Sequence, residues 1–311
     1  MKVLLIGASG LLGRAIVAEL APRAGLTLIA TVRDRDSAGA RATGLAREAL
    51  TVLDVLDPAA LDAVFATHRP EVVVVCAAER RPDVCERDPA ASRAINVRAQ
   101  AAIAARAEAA GAWTIGISTD YVFDGRAAPY REGDAPAPLN AYGLAKRDGE
   151  AALLAASPRA TVLRLPLLYG PVVSWADSAV TSLLPAIVGS AQAGAAPVEM
   201  DAWAIRYPTY TPDVARVIAQ LVERHAAGHT VTGLCHWSGD EPMTKHEIAQ
   251  RIGAALGIAP RLTPVTAPRD TTPRPYDCHL DPSRLEALGI GARTPFEVGI
   301  RAVLAAGPGP R

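Results

Sequence analysis

Short apolar runs alternate with longer stretches in which apolar residues recur every three or four positions, and this alternation repeats from the N-terminus to about residue 168. The runs at 3–6, 26–32, 50–53, 72–76, 113–117 and 161–165 read as strands. Residues 72–76 are Val-Val-Val-Val-Cys, apolar on both alternating faces, as expected of a central parallel strand covered on both sides. Helical stretches separate the strands. One follows Gly13 with Ile16, Val17 and Leu20 on one face. A second opens at Asp57-Pro58, an N-cap with proline at the first helical position, and runs to His68. Others cover 88–110, with Asn96 inside, and 140–154. Strand–helix alternation of this kind predicts an α/β fold, a doubly wound parallel sheet with right-handed crossovers.

Beyond residue 168 the texture changes. Residues 171–203 read as one helical stretch around Trp175 with little strand signal. Thr211-Pro212 reads as an N-cap and proline start for an apolar helix to His225, which returns to the first unit. Thr244 to Glu247 and Thr294 to Glu297 have capping-box spacing, and 268–275 is a proline-rich loop. The expected division is a dinucleotide-binding unit at 1–168 with a return segment at 204–232. A smaller C-terminal substrate unit takes 169–203 and 233–300, and 301–311 is a tail.

Composition narrows the class. Half of the 311 residues are apolar and 21% charged, with 32 Lys plus Arg balancing 32 Asp plus Glu, as in an ordinary globular protein. That balance gives no electrostatic case for nucleic acid or a membrane surface. The apolar start is interrupted by Gly7 and Gly10 and lacks a small-residue cleavage pattern, so it reads as strand and loop. No apolar run approaches the roughly 20 residues needed to span a bilayer. Cys76, Cys85, Cys235 and Cys278 have no metal-ligand spacing, which suits a reducing cytoplasm. His225 and His229 are four apart but flank Ala-Ala-Gly at a helix end without a third ligand, so no metal is expected.

The candidate chemistry lies at the strand ends. Gly7-Ala8-Ser9-Gly10-Leu11-Leu12-Gly13 joins the first strand to the first helix. Glycines there permit a tight turn and close approach of a phosphate, and the helix start presents free N–H groups to it. Gly7, Ser9, Gly10, Leu11, Leu12 and Gly13 are therefore expected at a dinucleotide pyrophosphate. Arg33 ends the second strand about 20 residues on, where NAD-preferring sites carry a carboxylate. It favours the 2′-phosphate of NADP, while Asp34 keeps NAD open. Asp54 suits the adenine. Ala77 and Ala78 are small enough for ribose and nicotinamide to approach the backbone, and Arg80 and Arg81 follow as candidates for a substrate phosphate or carboxylate.

Ser118-Thr119-Asp120-Tyr121 emerges from the fifth strand at its carboxyl edge, where open α/β sheets bind ligands. Tyr142 and Lys146 lie four apart on one helical face. A phenol beside an ammonium is a stronger acid, because positive charge favours the phenolate. With the Thr119 hydroxyl to hold a carbonyl oxygen, the three supply a proton as a hydride arrives. Asp120, Tyr121 and Arg206 stand on the loops expected to meet substrate.

The glycine loop, the string Ser118 to Gly125 and the Tyr142/Lys146 pair together resemble the extended short-chain dehydrogenase/reductases, in the dTDP-4-dehydrorhamnose reductase branch. Within that branch, Ala77 to Val84, Pro136 to Asn140, Trp237 to Gly239, Met243 to Lys245 and Arg293 to Phe296 resemble the regulatory β subunits of methionine adenosyltransferase. The resemblance implies a catalytic trio of Thr119, Tyr142 and Lys146, with Lys146 also on the nicotinamide ribose. It implies NADP(H) as cofactor, with NAD(H) admitted. Two functions follow from it: a reductase of a keto sugar nucleotide or comparable small molecule, or a cofactor-binding partner of methionine adenosyltransferase. The β subunits continue past the Thr-Pro-Phe helix into a basic, aromatic tail that engages the catalytic subunit, where this chain has small residues. A homodimer is the default expectation.

Overall fold

The computed structural model describes residues 1–269 and 271–308. Its strands are β1 (Lys2–Ile6), β2 (Thr27–Val32), β3 (Leu50–Val52), β4 (Val72–Val75), β5 (Trp113–Thr119), β6 (Thr161–Leu165), β7 (Leu168–Tyr169), β8 (Val198–Asp201), β9 (Thr209–Tyr210), β10 (Gly233–His236) and β11 (Leu262–Val265). The helices are α1 (Leu11–Leu20), α2 (Ala38–Arg41), α3 (Pro58–His68), α4 (Pro82–Arg87), α5 (Pro89–Arg93), α6 (Ala99–Ala109), α7 (Ala141–Ala156), α8 (Leu184–Ser190), α9 (Thr211–Ala226), α10 (Lys245–Leu256), α11 (Ser283–Glu286) and α12 (Phe296–Ala306).

Seven strands form one parallel sheet in the order β10-β6-β5-β4-β1-β2-β3. Alternation of side chains divides its core in two. Val3, Leu5, Val72 and Val74 face a layer that includes Ile16, Val17, Val217 and Leu221 of α1 and α9. Leu4, Ile6, Val73 and Val75 face Leu61, Phe65 and Ile103 of α3 and α6. The strand order reverses between β1 and β4, and the carboxyl ends there open a crevice. A separate apolar cluster, with Ile187, Met200, Ile248, Ile252, Phe296 and Ile300, is built from α8, β8, α10 and α12.

Several local expectations change. The helix expected over 88–110 forms continuously from Pro89 to Ala109 with Asp88 as its cap, but it carries a π-turn at Ala94–Arg98 between α5 and α6. Residues 171–203 hold 3₁₀ turns and α8, and also β8, which pairs with β11. Thr211 is the first residue of α9 and not its cap, which is Tyr210. The Thr244/Glu247 capping box forms, but the Thr294 box does not. The Thr294 hydroxyl donates instead to Asp213 Oδ1 at 2.9 Å, and α12 starts with Phe296 N–H donating to Glu241. Tertiary carboxylates have displaced the local cap. The tail expected from residue 301 is still helix: α12 continues to Ala306 with Val303 fully buried, and 309–311 lie outside the described residues.

Candidate active site

A cleft of about 540 Å³ runs along the carboxyl ends of the sheet. The glycine loop forms one wall. Gly7 adopts φ +91°, open to glycine, and a Cβ on Gly13 would lie 2.2 Å from the Gly7 carbonyl oxygen. The loop and α1 therefore pack at a distance only glycine allows. Gly10, the N-cap of α1, offers no side chain to the helix start, so its first N–H groups are left for an anion. Residues Gly7, Ser9, Gly10, Leu11, Leu12 and Gly13 line this wall, Arg33 and Asp54 line one end, and Ala77 and Ala78 line the floor. These residues fit a dinucleotide: a cradle, an uncapped helix start, small floor residues, and an exposed Arg33 that makes no ion pair among the described residues. Asp54 also closes its own turn, accepting from Leu56 N–H at 2.9 Å.

At the other end stand Thr119, Asp120, Tyr121, Tyr142, Lys146 and Arg206, from β5, its following turn, α7 and the segment before β9. Asn140 caps α7 by accepting from Gly143 N–H at 2.9 Å, which fixes the helix that carries Tyr142 and Lys146. A Cβ on Gly143 would lie 2.2 Å from the Tyr121 carbonyl oxygen, so α7 sits hard against the turn after β5. Tyr121 and Tyr142 meet edge to face, 5.9 Å between centroids.

Burial dominates the electrostatics here. Burial pushes the Asp120 carboxyl up to about 6, against the pull of the Arg206 charge and of the Thr119 hydroxyl, which donates to Asp120 Oδ1 at 3.0 Å. Lys146 is 4% exposed, and burial lowers its ammonium to about 8, against Glu150, Cys76 and Cys85. Its Nζ donates to the Ile117 carbonyl at 2.6 Å. Tyr142 is half-buried, and desolvation raises its phenol above the ordinary value, with the Thr119 hydroxyl acting in the other direction. This departs from the expectation of a phenol acidified by Lys146, because the ammonium is turned to the strand. Arg206 is buried: Nη1 donates to the Ile205 and Pro275 carbonyls at 2.8 and 3.2 Å, while Nη2 has no partner among the described residues.

Of the candidate residues, Arg81 alone does not line the cleft: it forms an ion pair with Glu79 at 2.7 Å on the surface. Arg80 lines the cleft near the glycine-loop wall, since its charge bears on Arg14 of α1. Asn96, fully buried, braces the intervening loop: its amide donates to the Glu79 carbonyl at 2.9 Å and accepts from Glu79 N–H at 3.1 Å.

Three features were not anticipated. Arg14 holds the Ser9 carbonyl at 2.8 Å and Asp177 at 3.1 Å, and so ties the glycine loop to the segment after β7. Its place just after Gly13 was the available signal. Arg274, in the proline-rich loop, lines the cleft, and nothing in its local sequence announces that. Beneath the trio, Glu150 binds Arg164 through two bonds of 2.9 and 2.7 Å. The i, i+4 spacing of Lys146 and Glu150 carried that signal.

Fold and cleft define a nicotinamide-dinucleotide-dependent oxidoreductase of the short-chain dehydrogenase/reductase class. The chain belongs to the RmlD substrate binding domain family, whose model matches residues 1–307. It is 42% identical over 302 residues to methionine adenosyltransferase 2 subunit beta of Xenopus tropicalis, a match covering 96% of this chain and 86% of that protein. It is 36% identical over 307 residues to a probable dTDP-4,6-dihydroxy-2-methyloxan-3-one 4-ketoreductase of Streptomyces antibioticus, covering 97% and 94%. Among solved structures, a dTDP-4-dehydrorhamnose reductase from Clostridium acetobutylicum superposes with a TM-score of 0.82 at 27% identity, covering 98% of this chain and 99% of that one.

Proposed function

We propose that the chain is an NADPH-dependent reductase acting on a keto group of a sugar nucleotide or related small molecule. The observation that carries this reading is the convergence of Thr119, Tyr142 and Lys146 on the cleft that also holds the glycine cradle and Arg33. When bound, the cofactor supplies the hydride. The chain's own residues supply the rest. Tyr142 Oη gives its proton to the oxygen as the carbonyl becomes an alcohol, and Thr119 Oγ1 turns from Asp120 to donate to that oxygen. Lys146 Nζ has three donors, one of them on Ile117, which leaves two for the cofactor ribose and the developing phenolate. Arg206 Nη2, buried without a partner among the described residues, is costly until a ligand oxygen accepts from it, and with Asp120 and Tyr121 it forms the substrate side. Arg80, beside the glycine-loop wall, serves the dinucleotide phosphates better than the substrate. The unit built on α8, β8, α10 and α12 closes the substrate end; the chain acts in the cytoplasm, as a homodimer.

A second reading, a cofactor-binding partner of methionine adenosyltransferase, is favoured by the 42% identity to the β subunit. NADPH consumption over a panel of keto sugar nucleotides, run beside co-purification and activity assays with methionine adenosyltransferase, separates the two. Turnover on the panel supports the reductase. Stimulation of the transferase with no turnover reverses the order.

A further inference from the structure

A buried carboxylate beneath the trio, belonging to none of its members, ties three elements together. Glu150, 7% exposed, lies one helical turn beyond Lys146 on α7. Its carboxylate accepts from Arg164 Nε and Nη2 of β6 at 2.9 and 2.7 Å and from the Ser118 hydroxyl of β5. One carboxylate thus joins the helix that carries Tyr142 and Lys146 to the strand that carries Thr119 and to the strand beyond it. The guanidinium is 1% exposed, lies over the Phe123 ring at 5.0 Å and meets His236 Nε2 at 3.3 Å. A buried pair of this kind does not justify itself by stability, since replacing both partners with apolar groups is often neutral or better.

We propose that Glu150 is the positioning residue of this site: by tying α7 to β5 and β6 it sets Tyr142 and Lys146 against Thr119.

The groups that face Lys146 support this. On α7 these are Tyr142 and Glu150; from β5 comes the Ile117 carbonyl, a dipole and not a charge. Cys76 follows β4 and Cys85 lies in α4, and burial raises both thiols, Cys76 to about 12, so both are neutral near pH 7. Arg164 of β6 stands behind Glu150 and is engaged by it. Lys146 loses hydration on burial, and the groups that act to keep its proton are Glu150, Cys76 and Cys85; of these Glu150 is the carboxylate.

The inference rests on the reductase reading for its use, but its test does not need turnover. Lys2, Lys146 and Lys245 are the lysines of the chain, so ¹³C labelling of lysine side chains gives few resonances to resolve, with Lys146 assigned by Lys146→Arg. The full-length chain is titrated with pH as wild type, as Glu150→Gln, and as Glu150→Gln/Arg164→Met. The double variant removes both buried charges and serves where Glu150→Gln, which strands Arg164, does not fold. The expected result is a Lys146 midpoint lower by about one pH unit or more in Glu150→Gln and still below wild type in the double variant, which also loses the opposing Arg164 charge, with Lys2 and Lys245 unmoved. A Lys146 midpoint equal to wild type in a folded double variant would overturn the proposal and leave Glu150 a structural residue. NADPH titration of the wild type, run in parallel, judges the cofactor reading by itself: absence of binding sinks that reading, while the lysine titration still decides the role of Glu150.

Discussion

Lys146 Nζ donates to the main-chain carbonyl of Ile117 at 2.6 Å, so the ammonium of α7 is held by β5 and not by the phenol of Tyr142. Burial has lowered that ammonium to about 8, below the free value of 10.5. An anionic cofactor that contacts it binds the charged form better. The free chain sheds this proton as pH rises through about 8 while the complex keeps it, so NADPH affinity should fall above pH 7, approaching about tenfold per pH unit. Fluorescence titration with NADPH from pH 6 to 9.5 reads this, and a flat profile contradicts it.

Arg33 sets the cofactor preference. Exposed at the cleft end and without an ion pair among the described residues, it is available to a 2′-phosphate through a charge-assisted contact. NADPH should bind wild type more tightly than NADH. Arg33→Ala should weaken NADPH by at least about tenfold and leave NADH nearly unchanged. Equal wild-type affinities for the two would sink the assignment.

Asp120 carries a stability cost that the site imposes. Its carboxyl is raised from 3.8 to about 6 by burial, so the folded chain holds this proton after the unfolded chain has lost it. Stability from this group is therefore greatest below pH 4 and declines as pH rises through 6, by up to about 3 kcal/mol. Asp120→Asn keeps the acceptor for Thr119 and removes the charge. It should melt higher than wild type at pH 7, with the gap closing by pH 4; a gap of equal size at both would contradict the account.

Gly13 tests the cradle. A methyl there would stand 2.2 Å from the Gly7 carbonyl oxygen and 2.9 Å from the Ala8 backbone, neither of which can swing aside. Gly13→Ala should cost about 1–3 kcal/mol in urea unfolding and weaken both NADPH and NADH, in contrast with Arg33→Ala. Gly10→Ala, whose Cβ would meet only the Gly7 oxygen at 3.4 Å, is the control and should cost less.

Six of the sheet's seven strands were legible as apolar runs, and four consecutive buried valines, Val72 to Val75, admit few other readings; β10, expected in the C-terminal unit, instead joins this sheet beside β6. The cleft residues were legible for a related reason. The glycine-loop and trio residues sit at strand ends or on one helical face, so local spacing fixes their place, and Gly7, Thr119, Tyr142 and Lys146 all arrive together. What local pattern did not show depends on partners far along the chain. The Thr294 cap lost to Asp213, 81 residues away, and Arg14 found Asp177 across 163 residues. β8 and β11 are four residues each, too short to carry periodicity until they pair. The Tyr142 and Lys146 spacing also suggested a direct acidification that the bond to Ile117 replaces, because spacing along a helix says which residues share a face and not where an ammonium points.

The central claim is that Tyr142 supplies the proton of a hydride-transfer reaction. Tyr142→Phe removes that proton and keeps the ring that meets Tyr121 edge to face, so NADPH affinity should change little. The deciding measurement is single-turnover oxidation of bound NADPH by whichever keto sugar nucleotide the panel identifies, compared between wild type and Tyr142→Phe. The account predicts a fall of about 10²–10⁴-fold in that rate, the usual worth of a positioned general acid. A Tyr142→Phe variant that oxidises NADPH as fast as wild type would contradict it and place the proton donor elsewhere.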